Sequence, residues 1–454
     1  MINIKSDSRK VKPGDTFVAL DGIITNGSDY ISSAIENGAS KIVCKEGQYS
    51  VETINVPDTR EYLNKYLKDN YNKYLDEMTI MGITGTNGKT TTAFLIYEAL
   101  NAMHIKCGYI GTIGYYLEKK VKDLPNTSAD VCEMYDMIIN AYENGYKYIV
   151  LEVSSQGLSY GRLEGITFDY AMFTNLTEDH LDYHKTMENY CLAKQKLFKQ
   201  LKKNGIGLVN NDDEYKKYFM IEPYKTYGFT ASDYQVINYT LNNNGSHFEI
   251  KTNDKTYTIN SPLIGKYNIY NVTLLIAILD LLNIEKNMIE SLIPLLKSPN
   301  GRMDIIKYNN NSIIIDYAHT PDAMENVYKA VKEICKGKIY TVFGCTGDRD
   351  RFKRPIMLDL ATKNSEYVIV TMDDLHYEPF DNIISDMITG IDQDNYEVCQ
   401  DRGKAIEKGI EKLVDNDILL ILGKGHETGI IIKDQKIPFN DKKIVLEILD
   451  KVKV

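Results

Sequence analysis

Short hydrophobic runs recur along the chain, separated by stretches whose apolar positions fall every third or fourth residue. That pattern predicts buried strands joined by amphipathic helices. Ile80, Met81 and Ile83 form one such run, and Ala93, Ile96, Leu100 and Met103 then mark one helix face. Upstream, 16–20 and 41–44 read as strands, with a short helix at Ala34-Ile35 stopped by Gly38-Ala39. The segment 61–77, with apolar positions at Tyr62, Tyr66, Leu67 and Tyr74, reads as a helix. Downstream come strands at 148–151, 170–174 and 206–209, an antiparallel pair at 248–250 and 256–259, and a helix over 270–282. Ser298-Pro299-Asn300-Gly301 then breaks the pattern, and 313–315, 339–343, 368–370 and 418–422 form a second strand series with helical spacers. The expected fold is α/β with three domains. These are a small α/β N-terminal domain over 1–77, a central P-loop parallel-sheet domain over 78–298, and a C-terminal Rossmann-like domain over 299–454.

Candidate chemistry gathers where strands end. Between the strand at 80–83 and its helix lies Gly85-Thr86-Asn87-Gly88-Lys89-Thr90-Thr91. Two glycines let backbone N–H groups converge on an anion, the helix N-terminus adds partial positive charge, and Lys89 adds a full one. Thr90 is placed to ligate Mg²⁺. The generic Walker pattern asks for a glycine five residues before Gly88, and Ile83 stands there. Glu152 ends the strand at 148–151, where a carboxylate either holds a metal or caps a helix. His180 and His184, four residues apart, have metal-pair spacing but no third ligand nearby. Lys194 sits in a helical segment, where a solvated lysine is the default reading. Three polar or glycine-rich loops, 316–322, 344–351 and 423–427, follow strands of the second series and define a common ligand face. Their mixture of Arg349, Arg351 and Lys353 with Asp348 and Glu427 suits a zwitterionic amino acid beside phosphate.

Composition narrows the class. The 454 residues suffice for about three domains, each expected to bury its own core, and 43% hydrophobic with 26% charged residues is ordinary for a soluble globular protein. A net charge of −10 argues against a general nucleic-acid binder. The seven cysteines are scattered without a CxxC pair, which suits reduced thiols in the cytoplasm. No signal segment or membrane-spanning apolar run is present in the sequence.

Taken together the motifs resemble the Mur ligases, of the MurE type. The resemblance covers nearly the whole chain. It rests on Asp7-Ser8-Arg9 with Pro13-Gly14-Asp15, Gly85 to Thr91, Asn126-Thr127, Glu152-Val153-Ser154-Ser155, and Thr174-Asn175-Leu176 leading to Asp179-His180-Leu181-Asp182-Tyr183-His184. Ala193-Lys194, Tyr267-Asn268-Ile269-Tyr270-Asn271, Gly301-Arg302-Met303, Asp316 to Asp322, Gly347-Asp348-Arg349-Asp350 and Gly423 to Glu427 complete it. The resemblance implies an ATP- and Mg²⁺-dependent amide ligase of peptidoglycan synthesis, cytoplasmic and monomeric. It would join a free amino acid to UDP-MurNAc-L-Ala-D-Glu through an acyl phosphate. By position Lys89, Glu152, His180 and Lys194 match catalytic residues. Thr90, Glu152, His180 and carbamylated Lys194 match metal ligands. Gly85, Thr86, Asn87, Gly88, Lys89, Thr90, Thr91, Asn271, Arg302 and Asp316 match the ATP site. Ser8, Asn126, Thr127, Ser154 and Arg162 match the UDP-sugar-peptide site. Arg349, Asp373, Asp374, His376, Gly423 and Glu427 match the amino-acid site.

The departures from the family pattern bear on specificity. The Asp-Asn-Pro-Arg motif for diaminopimelate reads Asp373-Asp374-Leu375-His376 here, without the arginine that clamps a carboxylate in two places. L-lysine or another non-diaminopimelate amino acid is therefore favoured as the third residue. Gln156, Ser128-Ala129 and Tyr160 replace the usual histidine, threonine-proline and glutamine near the sugar-peptide positions. They leave room for a paralogue with another carboxylate acceptor, such as one of a folylpolyglutamate-type pathway, although the Ser8-Arg9 N-terminal segment argues for a UDP-sugar. A non-catalytic nucleotide-binding derivative would show damage at Lys89, Glu152, His180 or Lys194, and all four are intact. A GTPase switch lacks its NKxD-like guanine motif.

Overall fold

A computed structural model describes residues 2–22, 26–242 and 244–452. Among the described residues, three large sheets follow one another along the chain, with a two-stranded antiparallel pair, Gly429–Ile432 and Gln435–Pro438, near its end. Ile4–Lys5, Thr16–Val18, Lys41–Cys44 and Glu52–Asn55 form the first, parallel throughout. The second has eleven strands. At its centre Thr79–Thr84 lies between Tyr148–Glu152 and Phe168–Phe173, parallel to both. Ile80 faces one layer of helices while Met81 and Ile83 face the other. A strand covered on both faces needs such an uninterrupted apolar run.

Helices Val131–Glu143 and Met187–Lys199 cover one face, and Lys89–Ala102 with Lys266–Leu281 the other. The third sheet has six strands, and its parallel core, Asn311–Asp316, Ile418–Leu422, Ile339–Phe343 and Tyr367–Val370, consists of the four runs read from the sequence. An antiparallel strand, Asp304–Tyr308, is added at one edge.

One expectation is corrected. The N-terminal unit does not bury a core entirely its own. Val11, Phe17, Ile31, Ala34 and Ile42 form a private cluster on one face of its sheet. Ile4, Val18 and Val43 on the other face share a cluster with Ile80, Ile149 and Phe168 of the central domain. Leu63, Leu67 and Leu75 of helix Thr59–Asp76 join the same shared cluster. Strands of two to four residues make a sheet too small to be covered from within.

Candidate functional site

The carboxyl ends of the central and third sheets face each other across a cleft, and many of the residues singled out for ATP and the amino acid lie along it. Gly85 (φ +149°) and Gly88 (φ +86°) adopt backbone conformations open to glycine. A Cβ at Gly88 would come within 2.6 Å of Asn271 Oδ1. The turn thus holds its shape only without side chains. Lys89 Nζ donates to the carbonyls of Gly85 (2.9 Å) and Thr86 (2.8 Å). Lys194 is 1% exposed rather than solvated. Its Nζ donates to the same Gly85 carbonyl at 2.7 Å and lies 4.4 Å from the Tyr190 ring centre. Burial, and secondly the charge of Lys89, push the Lys194 amine well below the usual lysine range.

Glu152 caps no helix. Fully buried, it accepts from Thr90 Oγ1 (2.7 Å) and Thr112 Oγ1 (3.0 Å) at one oxygen, and from Thr112 N (3.0 Å) and the Tyr109 hydroxyl at the other. His180 and His184 do not form a metal pair. His184 is buried with Nε2 2.9 Å from Ser155 Oγ, whereas His180 (φ +54°) lies on the cleft with Nε2 3.4 Å from Asp179 Oδ2.

The third domain reaches the phosphate turn directly. Arg302 Nη2 donates to Thr90 Oγ1 at 3.4 Å, with its guanidinium 4.5 Å from the Tyr317 ring centre. Asp322 accepts from Asn87 Nδ2 (2.6 Å) and Thr177 Oγ1 (3.2 Å). Asp316 is buried, accepting from the backbone N–H groups of Met303 (2.7 Å) and Ala318 (2.8 Å). Asn271, Arg302, Asp316 and Gly88 line a cavity of about 270 Å³ beside the turn.

A larger cavity of about 800 Å³ runs from Asp179 and His180 to Arg349, Asp373, Asp374, His376, Gly423 and Glu427. Lys424, absent from the candidates drawn from the sequence, does not line this cavity but places its buried ammonium among three carboxylates that do. Its Nζ lies 2.6 Å from Glu427, 2.8 Å from Asp374 and 3.4 Å from Asp373, with 1% exposure of its side chain. Burial opposes ionisation of Asp373, but Lys424 and Arg402 outweigh it and hold the carboxyl below the usual carboxylate range. Asp322 was passed over as well, although it closes the Asp316-to-Asp322 motif; a lysine flanked by glycines at a strand end was the available signal for Lys424. A third cluster lies on the far side of Glu152. Thr127 Oγ1 is 3.1 Å from Thr112 Oγ1, Ser154 N donates to Ser128 Oγ at 3.1 Å, and Arg162 Nη1 donates to the Ser128 carbonyl at 3.0 Å. Ser8 is buried in the N-terminal unit, while Asn126 is exposed.

A phosphate-binding turn met by an arginine from another domain, beside a separate charged pocket, is the arrangement an ATP-dependent ligase requires. Three family descriptions match successive parts of the chain: "Mur ligase family, catalytic domain" over residues 2–82, "Mur ligase middle domain" over 83–279, and "Mur ligase, glutamate ligase domain" over 301–425. The protein belongs to the Mur ligase family. It is 37% identical to the UDP-N-acetylmuramoyl-L-alanyl-D-glutamate--2,6-diaminopimelate ligase of Clostridium perfringens, over 99% of this chain and 95% of that one. Its identity to the enzyme of the same name from Aquifex aeolicus is 38%, over 98% and 93% of the two chains. A solved structure of a ligase with that name superimposes with a TM-score of 0.70 at 30% identity, covering 100% of this chain and 95% of the other. MurF ligase from Thermotoga maritima in complex with ADP shares the fold, with a TM-score of 0.68 at 18% identity over 99% and 97% of the chains. Among the described residues no helix is long and apolar enough to cross a membrane.

Proposed function

We propose that this protein joins the amino group of a free amino acid to the D-glutamate γ-carboxylate of UDP-MurNAc-L-Ala-D-Glu, using ATP. The observation that carries the reading is the continuous cleft from His180, beside the phosphate turn, to the Lys424 cluster. It gives an activated carboxyl and an incoming amine one shared, partly enclosed space. In this reading the carboxylate attacks the γ-phosphorus of ATP, forming an acyl phosphate and ADP. The amine then adds to the acyl carbon, and the tetrahedral intermediate collapses to the amide, releasing phosphate and a proton. Lys89 and Arg302 neutralise charge gathering on the phosphoryl oxygens. Asn271 and Asp316 hold the nucleoside side, and the Thr127, Ser154 and Arg162 cluster, with Ser8 and Asn126 toward the N-terminal unit, takes the UDP-sugar peptide. The three domains then divide the work as UDP-sugar binding over 1–77, ATP binding over 78–298 and amino-acid binding over 299–454.

The donors fit Mg²⁺. Thr90 Oγ1 and Glu152 are hard oxygen donors 2.7 Å apart at the turn. Bound there, Mg²⁺ would supply Lewis-acid stabilisation of the phosphates. His180 and Lys194 lie toward a second position. A lysine ammonium is no metal ligand, but Lys194 is buried with its amine biased to the neutral form. A neutral amine adds CO₂ to become a carbamate, and Lys194 is proposed to carry one. A ¹³C carbamate signal after incubation with labelled bicarbonate, absent in Lys194→Ala, tests this assignment.

For the third residue we favour L-lysine. Three carboxylates face one ammonium around Lys424, so a second ammonium is welcome there. A distal carboxylate would meet that negative charge with His376 in place of an arginine clamp. A second reading, diaminopimelate, draws on the names of the relatives at 37–38% identity. ADP release measured with UDP-MurNAc-L-Ala-D-Glu and each amino acid separately, with the product mass, decides between them. Turnover with L-lysine supports the first reading and turnover with diaminopimelate alone the second. Turnover with neither, from protein that binds ATP, overturns this acceptor.

A further inference from the structure

Glu152 is supported in a way that the motif containing it does not reveal. An ionised carboxylate has about four lone-pair sites, and four donors occupy them: Thr90 Oγ1 and Thr112 Oγ1 at Oε2, Thr112 N and the Tyr109 hydroxyl at Oε1. The two oxygens are not equivalent. Oε2 meets two rotatable hydroxyls, and one of them, Thr90 Oγ1, also accepts from Arg302. Oε1 is held by a backbone N–H and by the Tyr109 phenol, whose oxygen also meets the Ile113 backbone N–H.

Tyr109 lies in strand Cys107–Gly111, paired in parallel with Tyr148–Glu152. Its ring is fixed by Phe94 at 5.8 Å, Tyr97 at 6.2 Å and Tyr116 at 5.8 Å between centroids, and the residue is fully buried. Gly111 supplies the space: a Cβ there would collide with both Glu152 Oε1 and the Tyr109 hydroxyl. A locked ring and an absent side chain together form a slot for one carboxylate oxygen.

We infer that Tyr109 is a positioning residue that retains Glu152 Oε1, so that Glu152 presents only Oε2, on the Thr90 side, to a divalent cation. The inference rests on the proposed metal role of Glu152. A donor behind a metal ligand fixes its orientation, and loss of such a partner typically weakens binding about 10- to 100-fold.

The test is Mn²⁺ affinity, read from the electron paramagnetic resonance signal of the free ion, for full-length protein with a non-hydrolysable ATP analogue. Tyr109→Phe removes one oxygen and keeps the ring. It is expected to weaken Mn²⁺ binding by about 10-fold or more while leaving metal-free binding of the analogue near that of the parent; the lost buried hydrogen bond lowers the melting temperature without unfolding the protein. Gly111→Ala intrudes on the slot from the opposite side, keeps the phenol, and should weaken Mn²⁺ binding likewise; it carries the test if Tyr109→Phe fails to fold. Glu152→Ala separates the two layers of the argument. If it weakens Mn²⁺ binding and the folded slot variants do not, the positioning role falls and the metal site stands. If Glu152→Ala also leaves Mn²⁺ affinity unchanged, the metal reading falls and the positioning role with it.

Discussion

Lys194 shows how far a single position can depart from what its local sequence suggests. Flanked by helix-forming residues, it reads as a surface lysine, yet helix Met187–Lys199 turns it toward the phosphate turn, where it is 1% exposed. Only the fold sets that environment, so no spacing rule could find it; family resemblance pointed to the position and the structure supplies the physics. Folded Lys194 has its pKa lowered by burial first and Lys89 second, while in the unfolded chain it titrates near 10.4. Between those values the unfolded state binds a proton that the folded state lacks. This contribution to stability is present above the unfolded value and is lost as pH falls toward the folded one. In protein kept free of CO₂, so that Lys194 carries no carbamate, Lys194→Met is therefore expected to flatten the rise in urea midpoint between neutral pH and pH 10. Ligation should fall on the order of 10²–10³-fold through loss of charge stabilisation. A variant with the parental pH slope would show that the amine is protonated in the folded protein. Lys424 is the converse case: buried as deeply, it stays charged because Asp373, Glu427 and Asp374 surround it.

At the scale of elements, legibility followed burial. Thr79–Thr84, Ile339–Phe343 and Ile418–Leu422 are covered on both faces and read as apolar runs. Tyr234–Asn242 went unread because most of its length is exposed and carries tyrosine, threonine and asparagine. Cys107–Gly111 was missed for another reason: it is buried throughout, but two of its five residues are glycines, which read as punctuation. Asp304–Tyr308, half-buried at a sheet edge, has too little apolar contrast to stand out. The phosphate turn was legible because its glycines and lysine are contiguous, with the strand and helix fixing their direction. Its geometry leaves little latitude. Gly88 combines φ +86° with a Cβ position 2.6 Å from Asn271 Oδ1. Gly88→Ala should cost about 1–3 kcal/mol through the left-handed backbone alone, and should weaken ATP binding as Asn271 is displaced. Calorimetric titration with ATP, alongside the melting temperature, checks both effects; parental values in each would mean that the turn rearranges freely.

Across the whole molecule, the candidate site exists only because two sheets present their carboxyl ends to each other. Four of the strands read from the sequence lie in the third sheet, but nothing in a linear pattern tells how that sheet docks on the central one. The structure shows the docking contacts. Asp322, at the start of helix Pro321–Ile334, accepts from Asn87 in the phosphate turn and from Thr177 after a central strand, and Arg302 donates to Thr90. Hydrogen bonds to a carboxylate contribute about 1.5–3 kcal/mol each at most, comparable to the free-energy differences that govern domain closure. Asp322, which lines both cavities of the cleft, should therefore bias the closed arrangement chiefly through its bonds to the phosphate-turn side. In Asp322→Ala the unliganded protein is expected to show a larger radius of gyration by small-angle X-ray scattering. Its KM for ATP should rise by about tenfold, the equivalent of one such bond, with the KM for the amino acid much less affected. Asp322→Asn, which retains an acceptor oxygen for Asn87, should fall between the two. Unchanged scattering together with an unchanged KM for ATP would show that the docking is carried by the apolar contacts around Tyr267 and Ile264 instead. A rise confined to the amino-acid KM would place the role of Asp322 in the other half of the cleft.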